Sequence, residues 1–408
     1  AALMPISVTS ITFDDSNPSV GADPVALDHS RTLAELIRAE AMASGGALPF
    51  DRFMELALYA PGLGYYVAGA HKFGPGGDFV TASAISPLFG LCLARQCREV
   101  LDALGGGDIL ELGAGTGDLA ADLLDGLKTE ASLPCRYLIL EPGPELRERQ
   151  RDLLKVRHPD LLDRIGWLDD LPSGFSGVLI ANEVMDALPV HRFQVREDRR
   201  VAEILVKPMG AGWEEVGAEA RSPGLAEAVH ALWARGLAQE AGYTSEINLR
   251  LGPWMQALEA SMDRGLMILI DYGYDRADYY RPERGMGTLM CHFRHQAHGN
   301  PYLHLGLQDI TAHVDFSAAA SGGRIAGLEV VGFTTQAHFL IALGLDGMLA
   351  ERMGGDQGVA DRNLQWLLGA KQLVMPYAMG ERFRVLGLAK NIGQTWTGFS
   401  LRDLRGRL

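Results

Sequence analysis

Long apolar runs are missing from this 408-residue chain. The longest, such as Leu266–Ile270 and Phe339–Leu343, fall far short of the ~20 residues needed to cross a bilayer, so no membrane insertion is expected. Cysteine is scarce. Cys92, Cys97, Cys135 and Cys291 are scattered with no CxxC spacing, which argues against a disulfide scaffold and fits reduced thiols. Positive charge is also short, with 37 Lys and Arg against 51 Asp and Glu and a formal net charge of −14. A chain with so little cation displaces few counterions from a phosphate backbone, so no nucleic-acid partner is expected. No Lys or Arg precedes Arg31, so the basic region of a signal or transit peptide is lacking. These absences together predict a cytoplasmic protein.

Glycine, by contrast, is abundant: 49 residues, well above the ~7% average, which points to tight turns or close backbone approaches. Residues 1–30 show no sustained periodicity and read as a mobile leader. Apolar residues at three- and four-residue intervals from Leu33 to Leu58 predict a helical cap over residues 31–105, interrupted by a glycine-rich lid segment around Gly74–Phe79. Short uninterrupted apolar runs then alternate with helical stretches. The runs are Ile109–Leu112, Tyr137–Leu140, Ile165–Leu168, Gly177–Ala181 and Leu266–Ile270. Such runs suit strands buried on both faces, so residues 106–190 and 263–408 read as an α/β core with a doubly wound, mostly parallel sheet. Residues 191–262 read as an insertion made of a hairpin and helices.

The sharpest local signal is Asp108-Ile-Leu-Glu-Leu-Gly-Ala-Gly-Thr-Gly-Asp118. A buried strand runs into Gly113, Gly115 and Gly117 and then opens a helix, at the strand end where doubly wound sheets bind ligands. The spacing is GxGxG, one residue short of the dinucleotide fingerprint. Carboxylates surround it: Glu111 and Asp118 beside the loop, and Glu183 and Asp186 after a neighbouring run. They disfavour a pyrophosphate and favour a ligand with positive charge, such as the sulfonium and ammonium of S-adenosyl-L-methionine. Glu141, ending the second run, suits the two ribose hydroxyls, although nicotinamide enzymes place an acid there too. Leu168 and Asp169, after Trp167, suit an adenine ring and its amino group. Asp78 in the glycine-rich segment suits a lid, or else a plain turn.

Several separated blocks resemble the MidA-type S-adenosylmethionine-dependent methyltransferase family, of class I Rossmann-like fold. They are Tyr59-Ala-Pro-Gly-Leu-Gly-Tyr-Tyr66, Gly77-Asp-Phe-Val-Thr81, Glu111–Gly115, Asn182-Glu-Val-Met-Asp-Ala-Leu-Pro-Val190, Asp271-Tyr-Gly273, Gly287-Thr-Leu289 and Asp309-Ile-Thr-Ala-His-Val-Asp-Phe316. The resemblance implies methylation of a protein arginine, with a core subunit of respiratory complex I as the partner of the mitochondrial members. It also implies that His295 and His313 line the substrate pocket.

A guanidinium is a poor nucleophile with a pKa above ~12. Carboxylates that bind it bidentately draw its charge toward one side and leave the far nitrogen to react. Glu183 and Asp186 are the expected clamp and Asn182 the orienting group; the alternative is that either acid caps the following turn. Asp271, ending the fifth run, is expected to line the same crevice. The histidines at 292, 295, 298, 304 and 313 lack a Cys or carboxylate set that would complete a tetrahedron, so no metal centre is predicted. A small-molecule or other protein methyltransferase, an assembly chaperone that binds the cofactor without turnover, and a homodimer all remain open.

Overall fold

The computed structural model describes residues 24–68, 82–354 and 360–408. The chain divides into two compact units. One comprises Val80–Met185, Gly252–Asp275 and Val314–Leu408, the other Ala1–Phe79, Asp186–Leu251 and Arg276–His313. Asp78 and the glycine-rich segment around it lie outside the described residues.

The first unit is an α/β layer built on seven strands: β1 (Asp108–Leu112), β2 (Tyr137–Leu140), β3 (Ile165–Leu168), β4 (Phe175–Asn182), β5 (Met262–Tyr274), β6 (Glu329–Thr335) and β7 (Phe383–Lys390). Their order across the sheet is β3-β2-β1-β4-β5-β7-β6, and Val314–Asp315 adds a short pairing to the end of β5. Neighbours from β3 to β5 run parallel, and β7 is antiparallel to both β5 and β6. The helices Asp118–Thr129 and Pro144–Arg157 make the crossovers from β1 to β2 and from β2 to β3. The five apolar runs read from the sequence lie in β1 to β5. All five residues of β1 are buried, as are Leu266–Ile270 of β5, so these strands have no solvent face to mark with polar residues. The doubly wound, mostly parallel sheet expected for a class I methyltransferase is therefore present, with strand order reversing beside β1.

Pairing register sets the functional edge. Leu112 lies opposite both Leu140 and Ala181, Leu140 opposite Leu168, and Asn182 opposite Ile270. The carboxyl ends of β1 to β4 therefore finish nearly flush, and β5 runs past the same row to Tyr274. Gly113, Glu141, Asp169, Glu183 and Asp271 are the residues that follow within one step of that row.

The second unit is assembled from three separated stretches. Helices Pro24–Ala43 and Phe50–Tyr59 accompany an antiparallel sheet of Leu48–Pro49, Val201–Met209, His191–Val195 and Thr244–Ile247, with Gly212–Glu219 on Val201–Met209. Met290–Phe293, Gln296–His298 and Asp309–Thr311 form a smaller sheet. One core joins Leu33, Ile37, Phe53, Trp213, Tyr302 and Ile310. The boundaries drawn from the sequence shift accordingly. Residues 276–313 leave the expected α/β core, because Cys291, Tyr302 and Ile310 bury against the amino-terminal helices. The insertion is mainly sheet, and its last expected helix, Leu251–Ser261, lies almost wholly in the first unit. The expected leader overlaps a helix that starts at Pro24, where His29 is buried and its Nε2 lies 2.8 Å from the Leu63 carbonyl oxygen.

Gly177 in β4 has φ +153°, and a methyl there would drive into the carbonyl oxygen of Asp108 on β1. Gly177→Ala is expected to destabilise the protein by about 3 kcal/mol. Gly105→Ala, at a helix end where an added carbon meets nothing within 4 Å, should cost about 1 kcal/mol. Urea unfolding of both variants checks the ranking.

Candidate cofactor site and acceptor segment

The glycine loop leaves β1 with its backbone tied down. The Gly113 N–H donates to the Leu140 carbonyl at 2.9 Å, and the three glycines adopt φ values of +63°, +54° and +91°. L side chains are strained in that region. An added carbon at Gly113 would stand 3.2 Å from Val184, and at Gly117 3.2 Å from Gln150, whereas at Gly115 it meets no atom of the described residues within 4 Å. Gly115 therefore borders open space rather than a packed neighbour. The helix Asp118–Thr129 begins directly after the loop.

Glu141 is buried at the end of β2 and receives the Gly143 N–H at 3.0 Å and the Gln150 side-chain amide at 3.3 Å. Burial pushes its carboxyl up, against the pull of hydrogen bonds from Gly143, Gln150 and the Gly115 backbone. Two residues missed by the sequence reading organise this corner. Gln150 donates to the Gly115 carbonyl at 2.8 Å and accepts from the Trp167 indole at 2.9 Å. Arg147 donates to the carbonyl oxygens of Glu141 and Leu168 and pairs with Asp169 at 2.7 Å. Both lie on the helix after β2, three residues apart on one face. Their spacing was the only sequence signal, and it is shared by ordinary helical surfaces. Asp169 is largely exposed and Leu168 half-buried.

Glu111 lies within β1, as expected. It is buried, and its Oε2 accepts the Tyr137 hydroxyl at 2.6 Å. Burial pushes its carboxyl up to about 7; the Tyr137 hydrogen bond opposes the shift and the Glu141 charge adds to it. At the end of β4, Glu183 adopts φ +54°, and its N–H donates to the Ile270 carbonyl at 2.9 Å. The Asn182 Nδ2 donates to Glu183 Oε1 at 3.3 Å, and Asn182 Oδ1 is a buried acceptor with no partner among the described residues. Asp271 is fully buried; one oxygen accepts the Met185 N–H at 3.0 Å and the other the Tyr272 N–H at 2.9 Å. It anchors the turn that carries Glu183, a role that the expectation of a crevice-lining acid did not foresee. Open space beside Gly115, a buried acid at the β2 end and an orphaned acceptor at the β4 end suit a ligand with ribose hydroxyls and an onium group.

In the second unit, Asp186 is buried and its carbonyl accepts the Ala312 N–H at 3.0 Å. The Tyr66 hydroxyl donates to Asp309 at 2.9 Å, and its ring stacks on Tyr59, whose hydroxyl donates to the Ala187 carbonyl at 3.0 Å. Burial, followed by the charge of Asp309, holds the Tyr66 phenol well above its usual range, so it stays a donor. His313 is half-buried, with its N–H on the Thr288 hydroxyl at 3.1 Å. His295, φ +63°, is exposed at the turn between Met290–Phe293 and Gln296–His298.

Residues 92–334 match a family model described as "Putative S-adenosyl-L-methionine-dependent methyltransferase". The chain belongs to this methyltransferase family. Among the curated relatives, the protein arginine methyltransferase NDUFAF7 of Danio rerio is 30% identical over 83% of the chain and 82% of its own length. The Drosophila melanogaster homologue is 27% identical over 88% of the chain and 84% of its own length. A crystal structure of a Burkholderia thailandensis protein bound to S-adenosyl-homocysteine is 39% identical, covering 95% of this chain and 99% of that one with a TM-score of 0.89. The methyltransferase uses S-adenosyl-L-methionine as its cofactor. The cytoplasmic expectation is overturned, because the relatives from Danio rerio, Drosophila melanogaster and Homo sapiens are all named as mitochondrial. Charge and apolar-run arguments describe the folded surface, and address signals are read separately from it. No described helix of the methyltransferase is long and apolar enough to cross a membrane.

The elevated Glu111 carboxyl makes stability depend on pH. Glu111 stays protonated in the fold up to about pH 7, whereas the unfolded chain loses that proton near its ordinary value of 4.5. Its stabilising contribution is therefore complete below the unfolded value and lost as pH rises through about 7, a change of about 3 kcal/mol. Glu111→Gln should remove this component. Urea unfolding of both proteins at about pH 5 and about pH 8 is the check: the parent should lose stability relative to the variant at the higher pH.

Proposed function

We propose that the enzyme methylates an arginine side chain of a protein, with a subunit of respiratory complex I as the partner class. The observation that carries this reading is the Asn182–Asp186 segment. It places an orphaned buried acceptor, a carboxylate held in a left-handed turn and a second carboxylate within five residues at the end of β4. The names of the curated relatives, protein arginine methyltransferases, support it.

Bound S-adenosyl-L-methionine supplies a methyl group activated on a sulfonium. On the acceptor side, Glu183 and Asp186 bind the guanidinium and draw its charge toward themselves, Asn182 orients it through Oδ1, and the proton that the nitrogen sheds on methylation passes to one of the two carboxylates. The backbone of Glu183 cannot drift, because Ile270 holds its N–H and Asp271 holds the N–H of Met185. The positive φ costs energy that the neighbouring strands must offset, which is common where a side chain has to be aimed. On the donor side, Glu141 holds the ribose hydroxyls, Gly113, Gly115 and Gly117 let the backbone approach, and Leu168 and Asp169 border the adenine. His295 and His313 are proposed to contact the acceptor protein.

Intact-mass and peptide analysis of purified complex I subunits after incubation with enzyme and cofactor tests this reading. A methyl-unit gain on arginine is expected. Glu183→Gln should lower the transfer rate on the order of a hundredfold while changing S-adenosyl-homocysteine affinity by less than about threefold. Methylation of a residue other than arginine, or stable association without mass gain, would refute it.

A further inference from the structure

We propose that Gln150 is a positioning residue of the cofactor pocket, locking the glycine loop, Glu141 and the adenine-side strand into one preorganised frame. The inference rests on the reading of Glu141 as the ribose acceptor. Gln150 lies in the helix Pro144–Arg157 and is fully buried. Three segments that are remote in sequence meet at its amide: the Gly115 carbonyl, the Glu141 carboxylate and the Trp167 indole.

The chemistry of these partners fixes the orientation of the amide. An indole N–H can only donate, so Gln150 Oε1 must face Trp167. Nε2 is thereby left for the Gly115 carbonyl and Glu141 Oε2, both of which can only accept. Each contact satisfies the others. Glu141 Oε1 is held in turn by the Gly143 N–H, so both carboxylate oxygens are oriented before any ligand arrives. The stem of Gln150 also sets the height of the loop: a carbon on Gly117 would lie 3.2 Å from its Cγ and 3.3 Å from its Cα. On the Trp167 side, the guanidinium of Arg151 stands 4.7 Å from the ring centre and restrains the indole further.

Gln meets a requirement here that similar side chains do not. Methionine fills the space but leaves the indole N–H and the Gly115 carbonyl without partners. Glutamate keeps the acceptor for Trp167 but turns an oxygen toward the Gly115 carbonyl and a second carboxylate. It can replace the lost donor only when it carries a proton.

Calorimetric titration of S-adenosyl-homocysteine into the parent enzyme, Gln150→Met, Gln150→Glu and Glu141→Ala, at about pH 6 and about pH 8, tests this, with melting temperatures measured alongside. Gln150→Met should weaken binding roughly ten- to a hundredfold at both pH values. Gln150→Glu should weaken it by a similar factor at the higher pH and recover most of the loss at the lower, a pH dependence exceeding that of the parent and one that a purely structural role would not produce. If both Gln150 variants bind within about threefold of the parent at both pH values while Glu141→Ala loses affinity, the inference fails and the ribose reading stands. If Glu141→Ala binds like the parent, the ribose reading fails and the frame has nothing to position.

Discussion

The flush register of parallel strands is the constraint on which the cofactor site depends. Pairing Leu112 with both Leu140 and Ala181 aligns three carboxyl ends, and each chain must then turn at the same height. A one-residue slip in a parallel ladder would send every side chain to the other face of the sheet. Both faces here are buried, so a slip would keep Ile109, Leu110, Val178 and Leu179 inside the core but set each against a helix layer packed for its neighbour. Residues scattered through the chain from Gly113 to Asp271 thus reach one edge by hydrogen-bond arithmetic.

Along that edge the acids behave differently because their surroundings differ. Glu111 is enclosed with Tyr137 and held near neutrality. Glu141 is also buried but is served by backbone and amide donors that favour its charged form. Asp169 is in water with Arg147 beside it, and Asp271 accepts from the backbone N–H groups of Met185 and Tyr272. One functional group, the carboxyl, gives a stability switch, a buried acceptor of amide donors, a surface pair and a turn anchor. A count of carboxylates near a glycine loop cannot separate these roles.

The two units show a parallel division. The first is built mainly on near-neighbour elements, β1 to β4 with the helices between them, joined by β5, β6 and β7 from later stretches. The second depends on remote stretches finding one core, with Phe53 against Trp213 at 5.6 Å and against Tyr302 at 5.1 Å. Contacts of that sequence separation leave no periodic trace in any one stretch, so the sequence reading divided the unit into a cap, an insertion and part of the α/β core.

The sequence by itself determined the strands of the α/β layer, the glycine loop at a strand end and the acidic residues that follow. Apolar runs bounded by glycine are local patterns, and local patterns survive reading in one dimension. Only the tertiary structure decided that Glu111 faces Tyr137, that Asp271 anchors the turn bearing Glu183, and that Gln150 and Arg147 tie the glycine loop, Glu141 and the end of β3 together. Those outcomes depend on which donor meets which acceptor once distant segments are packed, and the same residue types in the same order are compatible with many other pairings.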